Sequence, residues 1–172
     1  MATATTSKNL SVGDTSVGKK ALLAVSGAVL FGFVLQHMLG NLQVFLGPEV
    51  YNHYAETMKG NFALVWPART ILLLALVTHV ALVVQLYRRS LAARPVAYRV
   101  KKNIATTYAA ATMKYSGPAL LLYIFFHLAH FTVPGLSLGD HQFSPIDVYG
   151  NFVAGFQIPW VTLLYVSANL LL

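Results

Sequence analysis

The sequence predicts an all-α membrane protein, a transmembrane helical bundle with three complete spans and the start of a fourth. Three observations carry that expectation. Of the 172 residues, 56% are hydrophobic and only 10% are charged, with a mean hydropathy of +0.61, too apolar for a water-soluble domain of this length. The apolar residues gather into runs of about twenty or more, the length that crosses a hydrocarbon layer as a helix. The basic residues gather at the ends of those runs, as topology signals do.

Residues 1–18, rich in Ser and Thr, are expected to form a disordered polar tail, and residues 19–172 the bundle. The first span, about residues 21–46, is too long for a signal-peptide core, lacks a small-x-small cleavage site, and ends at the helix-stop pair Gly47-Pro48. The second, about residues 67–87, starts near Trp66-Pro67, with Pro67 suited to a first-turn position, and closes before Arg88-Arg89. The third, about residues 108–133, stops at Pro134-Gly135. A fourth starts at about residue 158, in Ile158-Pro159-Trp160, and is still apolar at Leu172; that is about fifteen residues where a crossing needs about twenty, so the sequence is expected to stop inside a helix.

The net charge of +7 does not point to nucleic acid, because the basic residues sit at span ends and not on an amphipathic surface interleaved with aromatic residues. By the positive-inside rule, Lys8, Lys19 and Lys20 and the segment carrying Arg88, Arg89, Arg94, Arg99, Lys101 and Lys102 are expected on the cytoplasmic side, and the loops containing Glu56 and Asp140 outside. There is no cysteine, which excludes disulfides, thiolate zinc, cysteine-ligated iron–sulfur clusters and c-type haem attachment within this chain. A metal here must be held by nitrogen or oxygen.

His37, His79 and His127 each lie inside a different apolar span, where an imidazole is costly unless it has a partner. Haem iron held between helices is the leading candidate. His37 precedes Gly47 by ten residues, and His127 precedes Pro134 by seven, so they lie about 15 Å and about 10 Å below the outer boundary. Two neutral imidazoles at comparable depth can ligate one iron axially. His79 precedes Arg88 by nine residues and so lies about 14 Å above the cytoplasmic boundary. It needs a different partner, and a fourth helix descending from Pro159 reaches that depth a few residues past Leu172.

A repeated pair supports two stacked haems. Gly27 lies ten residues before His37, and Gly117 ten before His127, each preceded by a serine, Ser26 and Ser116. Eleven residues is close to three helical turns, so each serine shares a face with its histidine, about 16 Å toward the cytoplasm, where small side chains let a second macrocycle approach the backbone. Two plainer readings stand beside these: a membrane histidine that only hydrogen-bonds a neighbouring helix, and Ser-Gly pairs at ordinary helix contacts. His130, near the outer edge, reads as a hydrogen-bonding or propionate-side residue; His53 and His141 read as solvated loop residues.

The stretches Phe33-Val-Leu-Gln-His37-Met-Leu-Gly-Asn41, Leu74-Ala-Leu-Val-Thr-His79 and Tyr123-Ile-Phe-Phe-His127-Leu-Ala-His130-Phe131 resemble the first three helices of the dihaem cytochrome b subunit of succinate:quinone oxidoreductases, the succinate dehydrogenases and fumarate reductases, in its five-helix single-anchor form. The resemblance runs from about Lys19 onward and implies a subunit of the bacterial inner membrane with a cytoplasmic amino terminus. It implies two haem b groups, with His37 and His127 as ligands of the distal one and His79 as a ligand of the proximal one. The family's fourth-helix ligand has no counterpart here, and its fifth helix is absent. It also implies a flavoprotein subunit that carries the dicarboxylate chemistry and an iron–sulfur subunit, both docked on the cytoplasmic face beside residues 88–102, which equally suit anionic lipid. Lys114, about a turn inside the third helix, is expected to snorkel.

On that resemblance the quinone, expected to be menaquinone, belongs near one end of the haem stack. Glu56 is the candidate acid for it, against the plain reading of an exposed loop carboxylate. Arg69 is expected to neutralise a distal-haem propionate or to snorkel. Bis-histidine ligation leaves no open iron position and so favours electron transfer. The rival expectations are the cytochrome b subunit of a formate dehydrogenase or nitrate reductase, and a haem-free anchor or transporter whose histidines form a polar seam.

Overall fold

A computed structural model of the chain describes residues 13–94, 96, 99–100, 105–133, 138 and 142–171. Residues 1–12 of the expected tail, with Lys8 in them, and Lys101, Lys102, Pro134, Gly135, Asp140, His141 and Leu172 lie outside the described residues. Among the described residues every regular element is helical, and none is a strand. They are α1 (Ser16–Asn41), continued by a 3-10 turn (Leu42–Leu46), then α2 (Pro48–Gly60), α3 (Phe62–Ala92), α4 (Tyr108–Thr132), α5 (Val148–Phe156) and α6 (Pro159–Leu171).

Among the described residues two segments are long and apolar enough to cross a membrane: Ser16–Leu46 and Phe62–Ala92, 31 residues each. Phe31, Phe33, Val34, Leu35, Leu73, Leu74 and Val77 all stand exposed along them. Such continuous apolar exposure fits lipid and not water. The chain is an all-α membrane protein. α4 has 25 residues but carries Lys114, Pro118, His127 and His130, and it is not among the segments apolar enough to cross. α5 and α6 pass that test only as a pair, bent by 89°.

The boundaries follow local chemistry. Gly47 has φ +98°, a conformation that favours glycine, and it ends the 3-10 turn before Pro48 opens α2. The segment after the first span, expected as a loop, is therefore the helix α2, and His53 and Glu56 are exposed on it. α3 starts a turn earlier than expected because Asn61 caps it, its side chain accepting from the Leu64 amide at 3.1 Å. Pro67 thus lies inside the helix, past the first turn. The bend between α5 and α6 falls at Ile158-Pro159: a residue before proline avoids the α conformation, and Pro159 has no amide to continue α5.

The chain divides into two compact units. In the first, α1 and α3 pack antiparallel. Arg89 donates to the Asp14 carbonyl at 3.3 Å, Lys19 Nζ hydrogen-bonds Gln85 Oε1, and Ser26 meets His79, three pairs that advance along α1 as they retreat along α3. The second unit, residues 42–57 and 100–172, holds most of α2 with α4, α5 and α6. Its core is aromatic: Phe126, Phe131, Phe156 and Tyr165 pack with ring centroids 4.9 to 6.2 Å apart, beside fully buried Val161. In that unit Asn52 ties α2 to the start of α5, donating to Asp147 Oδ1 at 3.0 Å and accepting from the Tyr149 amide at 2.8 Å.

Candidate functional site

Histidines lie in both units. In the first, His79 on α3 lies against Ser26 and Gly27 on α1. Ser26 Oγ donates to the Leu23 carbonyl at 3.0 Å, which uses its only hydrogen. At 3.2 Å from His79 Nδ1 it can then only accept, so that imidazole carries its proton on Nδ1 and keeps the Nε2 lone pair. Gly27 is required by proximity: a Cβ there lies 3.3 Å from His79 Cε1 and 3.6 Å from Nδ1. A serine buried on the helix contact and a glycine beside it thus hold one ring in one tautomer. That is the condition of a histidine ready to bind a metal through Nε2.

In the second unit, His127 and His130 on α4 converge on one phenol, Tyr165 of α6. Each Nδ1 lies 3.2 Å from its hydroxyl. His130 is buried, and its ring stacks at 4.2 Å from Phe131. A Cβ on Gly155 of α5 would lie 2.8 Å from His130 Nε2 and 2.9 Å from Cε1, so that edge of the ring faces backbone. His130 thus meets the Tyr165 hydroxyl through Nδ1 and turns its Nε2 edge to that backbone. His127 is half-buried, with Tyr123 stacked on it at 6.1 Å and Tyr165 edge-on at 6.1 Å.

His37 is exposed on α1, stacked on Phe33 at 5.4 Å, with Asn41 Nδ2 at 3.3 Å from both ring nitrogens and donating to the His37 carbonyl at 2.7 Å. Gly117 has open space around it, and Ser116 beside it is half-buried on α4. Arg69 is exposed with its guanidinium 5.5 Å from the Trp66 ring centroid. Lys114 lies 4.7 Å over the Tyr115 ring. Outside the spans, burial raises the Tyr51 phenol above its ordinary pKa, with Tyr54 adding to the effect, so it stays neutral.

No family model, curated protein or solved structure matches the chain.

The functional reading therefore stands on the residues themselves. Among the described residues no group of three or more His, Asp or Glu converges as a metal-ion site. Haem sets a different requirement, since its macrocycle supplies four nitrogens and the protein needs only one or two axial imidazoles. His79 and His127 fit that requirement, each half-buried and each contacted at Nδ1 by a hydroxyl. Sequence reasoning missed Tyr165 and Gly155. The available signal was a lone tyrosine in the apolar run 158–172, whose hydroxyl must find a partner once buried.

Proposed function

We propose that this chain is the membrane-anchor and electron-transfer subunit of a succinate:quinone oxidoreductase, with its amino terminus on the cytoplasmic side of a bacterial inner membrane. In this reading His79 holds a proximal haem b, and His37 and His127 hold a distal one. When bound, the haems supply one-electron steps between an iron–sulfur partner and a membrane quinone, and a flavoprotein partner carries the dicarboxylate chemistry. The chain's own residues bind, orient and shield: Ser26 fixes the tautomer of His79, Gly27 leaves room for its ring, and the apolar spans exclude water.

The observation that carries the reading is a histidine inside each of three successive long helices, with the Ser26–His79 bond leaving Nε2 free to ligate. The depth match of His37 and His127 supports their pairing. The basic residues Lys19, Lys20, Arg88 and Arg89 at one end of the α1–α3 pair support a cytoplasmic docking face. One observation favours a second reading: Tyr165 satisfies two histidines at once, as a haem-free polar seam would require.

A reduced-minus-oxidised optical spectrum with pyridine haemochrome quantification, on protein purified in detergent with its accompanying subunits, separates the two. A b-type signal near two haems per chain, reduced on adding succinate, is expected. A folded preparation with no haem overturns the proposal and leaves the histidine seam.

A further inference from the structure

A lysine at the end of a membrane span has an inexpensive arrangement open to it, with the stem along apolar surface and the amine in water. Lys19 does not take it. The residue is 9% exposed, and its amine turns into the contact between α1 and α3, where it hydrogen-bonds Gln85 Oε1. That position is costly: the ammonium leaves water for a neutral amide, and it stands one turn into α1, near the positive end of the helix dipole. An ammonium has three hydrogens, and Gln85 takes one. Among the described residues the other two have no acceptor.

Arg89, Lys20 and Arg88 share this end of the helix pair. Arg89 follows Gln85 by four residues, one turn on along the same face of α3, and spends one of its five hydrogens on the Asp14 carbonyl at 3.3 Å. Lys20 and Arg88 are exposed beside Lys19 and Arg89 in sequence. Among the described residues none of the four is ion-paired with a carboxylate. Like charges gathered in this way repel, and an anion among them removes the cost.

Depth and neighbours identify the anion. The apolar run of α1 starts at Ala21 and that of α3 ends at Tyr87, so the four cations stand at the hydrocarbon boundary, level with lipid headgroups. Just inside it, Leu22 and Val25 on α1 and Val83, Val84 and Tyr87 on α3 are exposed, a surface for acyl chains. A phosphate at one end and apolar chains at the other describe a phospholipid. A zwitterionic headgroup brings its own cation to the cluster, which favours an anionic one.

We propose that this end of the α1–α3 pair binds one anionic phospholipid, its phosphate held by the Lys19 amine and the Arg89 guanidinium, with Lys20 and Arg88 as outer charges. Gln85 is a positioning residue that keeps the amine in the helix contact beside the phosphate. The site needs no haem, so it stands or falls separately from the functional reading above.

The test compares neighbouring cations in protein purified in detergent with its accompanying subunits, titrated with phosphatidylglycerol or phosphatidylcholine and read by native mass spectrometry. Wild type is expected to keep one phosphatidylglycerol per chain under conditions that strip phosphatidylcholine. Charge alone near an anionic headgroup contributes a factor of about five per basic side chain. Lys20→Gln is expected to weaken phosphatidylglycerol by no more than that, and Lys19→Gln, which also removes the buried donor, by about tenfold or more. Lys19→Arg, which keeps charge and donors, is expected to retain the lipid. Equal losses in Lys19→Gln and Lys20→Gln show diffuse attraction and overturn the site. Displacement of the lipid by inorganic phosphate also overturns it, as the ligand is then a free anion. Wild type that takes up no phosphatidylglycerol overturns it too and leaves the cations to an acidic segment of a partner. Should Lys19→Gln fail to fold, Arg89→Gln against Arg88→Gln replaces the first comparison, with the same expected inequality and the same overturning result.

Discussion

A neutral imidazole inside hydrocarbon has two nitrogens to account for, and Ser26 accounts for one of those on His79. An interhelical hydrogen bond in a membrane is worth about 0.6 kcal/mol on average, because the separated helices find other partners. Ser26→Ala is therefore expected to change the unfolding midpoint in detergent only slightly. It releases the tautomer, however, and under the proposed haem ligation retention on His79, read by haemochrome titration, is expected to fall about tenfold or more. Gly155 presents the opposite balance. Its absent side chain leaves the space His130 occupies, and a Cβ 2.8 Å from Nε2 meets a ring already enclosed by Phe126, Phe131 and Tyr165. Gly155→Ala is expected to destabilise the second unit by about 1–3 kcal/mol through overpacking, despite the better helix propensity of alanine. Thermal unfolding in detergent measures it, and an unchanged midpoint would show that the ring shifts freely.

At the scale of the element, the long helices were legible because nothing competes with a continuous apolar run: the first span was expected at about residues 21–46 and is observed within the apolar segment Ser16–Leu46. The short elements were not legible. α2 has a polar composition with no span signal, and what makes it a helix is Pro48 at its first position after Gly47 at φ +98°. α5 was missed because its nine residues follow a polar segment and its start depends on tertiary bonds. Asp147 caps it by accepting from the Gly150 amide at 2.9 Å, Asn52 reaches across from α2, and Asn151 returns to Ser144 by accepting from its amide at 2.9 Å and donating to its carbonyl at 2.6 Å. The site divides in the same way. The histidines were visible as polar residues in apolar runs, whereas Tyr165 and Gly155 acquire meaning only when α5 and α6 meet α4. Asn52→Ala removes a partner from both Asp147 and the Tyr149 amide, and a lost bond of this kind costs about 1–3 kcal/mol when the stranded group stays dry. The expected outcome is faster hydrogen exchange across α5 with α1 and α3 unchanged; uniform exchange throughout would show that the bracket does not hold α5.

For the molecule as a whole, the decisive physical quantity is the asymmetry of charge along its spans. The antiparallel pairing of α1 with α3 brings Lys19, Lys20, Arg88 and Arg89 to one end, tied there by the bonds to Gln85 and Asp14. The other end of α3 begins at Phe62, with Arg69 its first basic residue two turns in. Short flanks rich in Lys and Arg remain on the cytoplasmic side, so α3 is expected to have Ser90 inside and Phe62 outside. Those positions are 28 residues apart, about 42 Å along a helix, which exceeds the roughly 30 Å of hydrocarbon, so both reach water. The chain has no cysteine, and a single introduced thiol reports its own side without background. Ser90 and Phe62 are both exposed, which suits each to carry the label. A membrane-impermeant maleimide added to intact cells is expected to label Phe62→Cys and to spare Ser90→Cys until the membrane is broken. The reverse pattern would invert the topology, move the basic end away from the cytoplasm, and with it remove the face on which an iron–sulfur partner is proposed to dock.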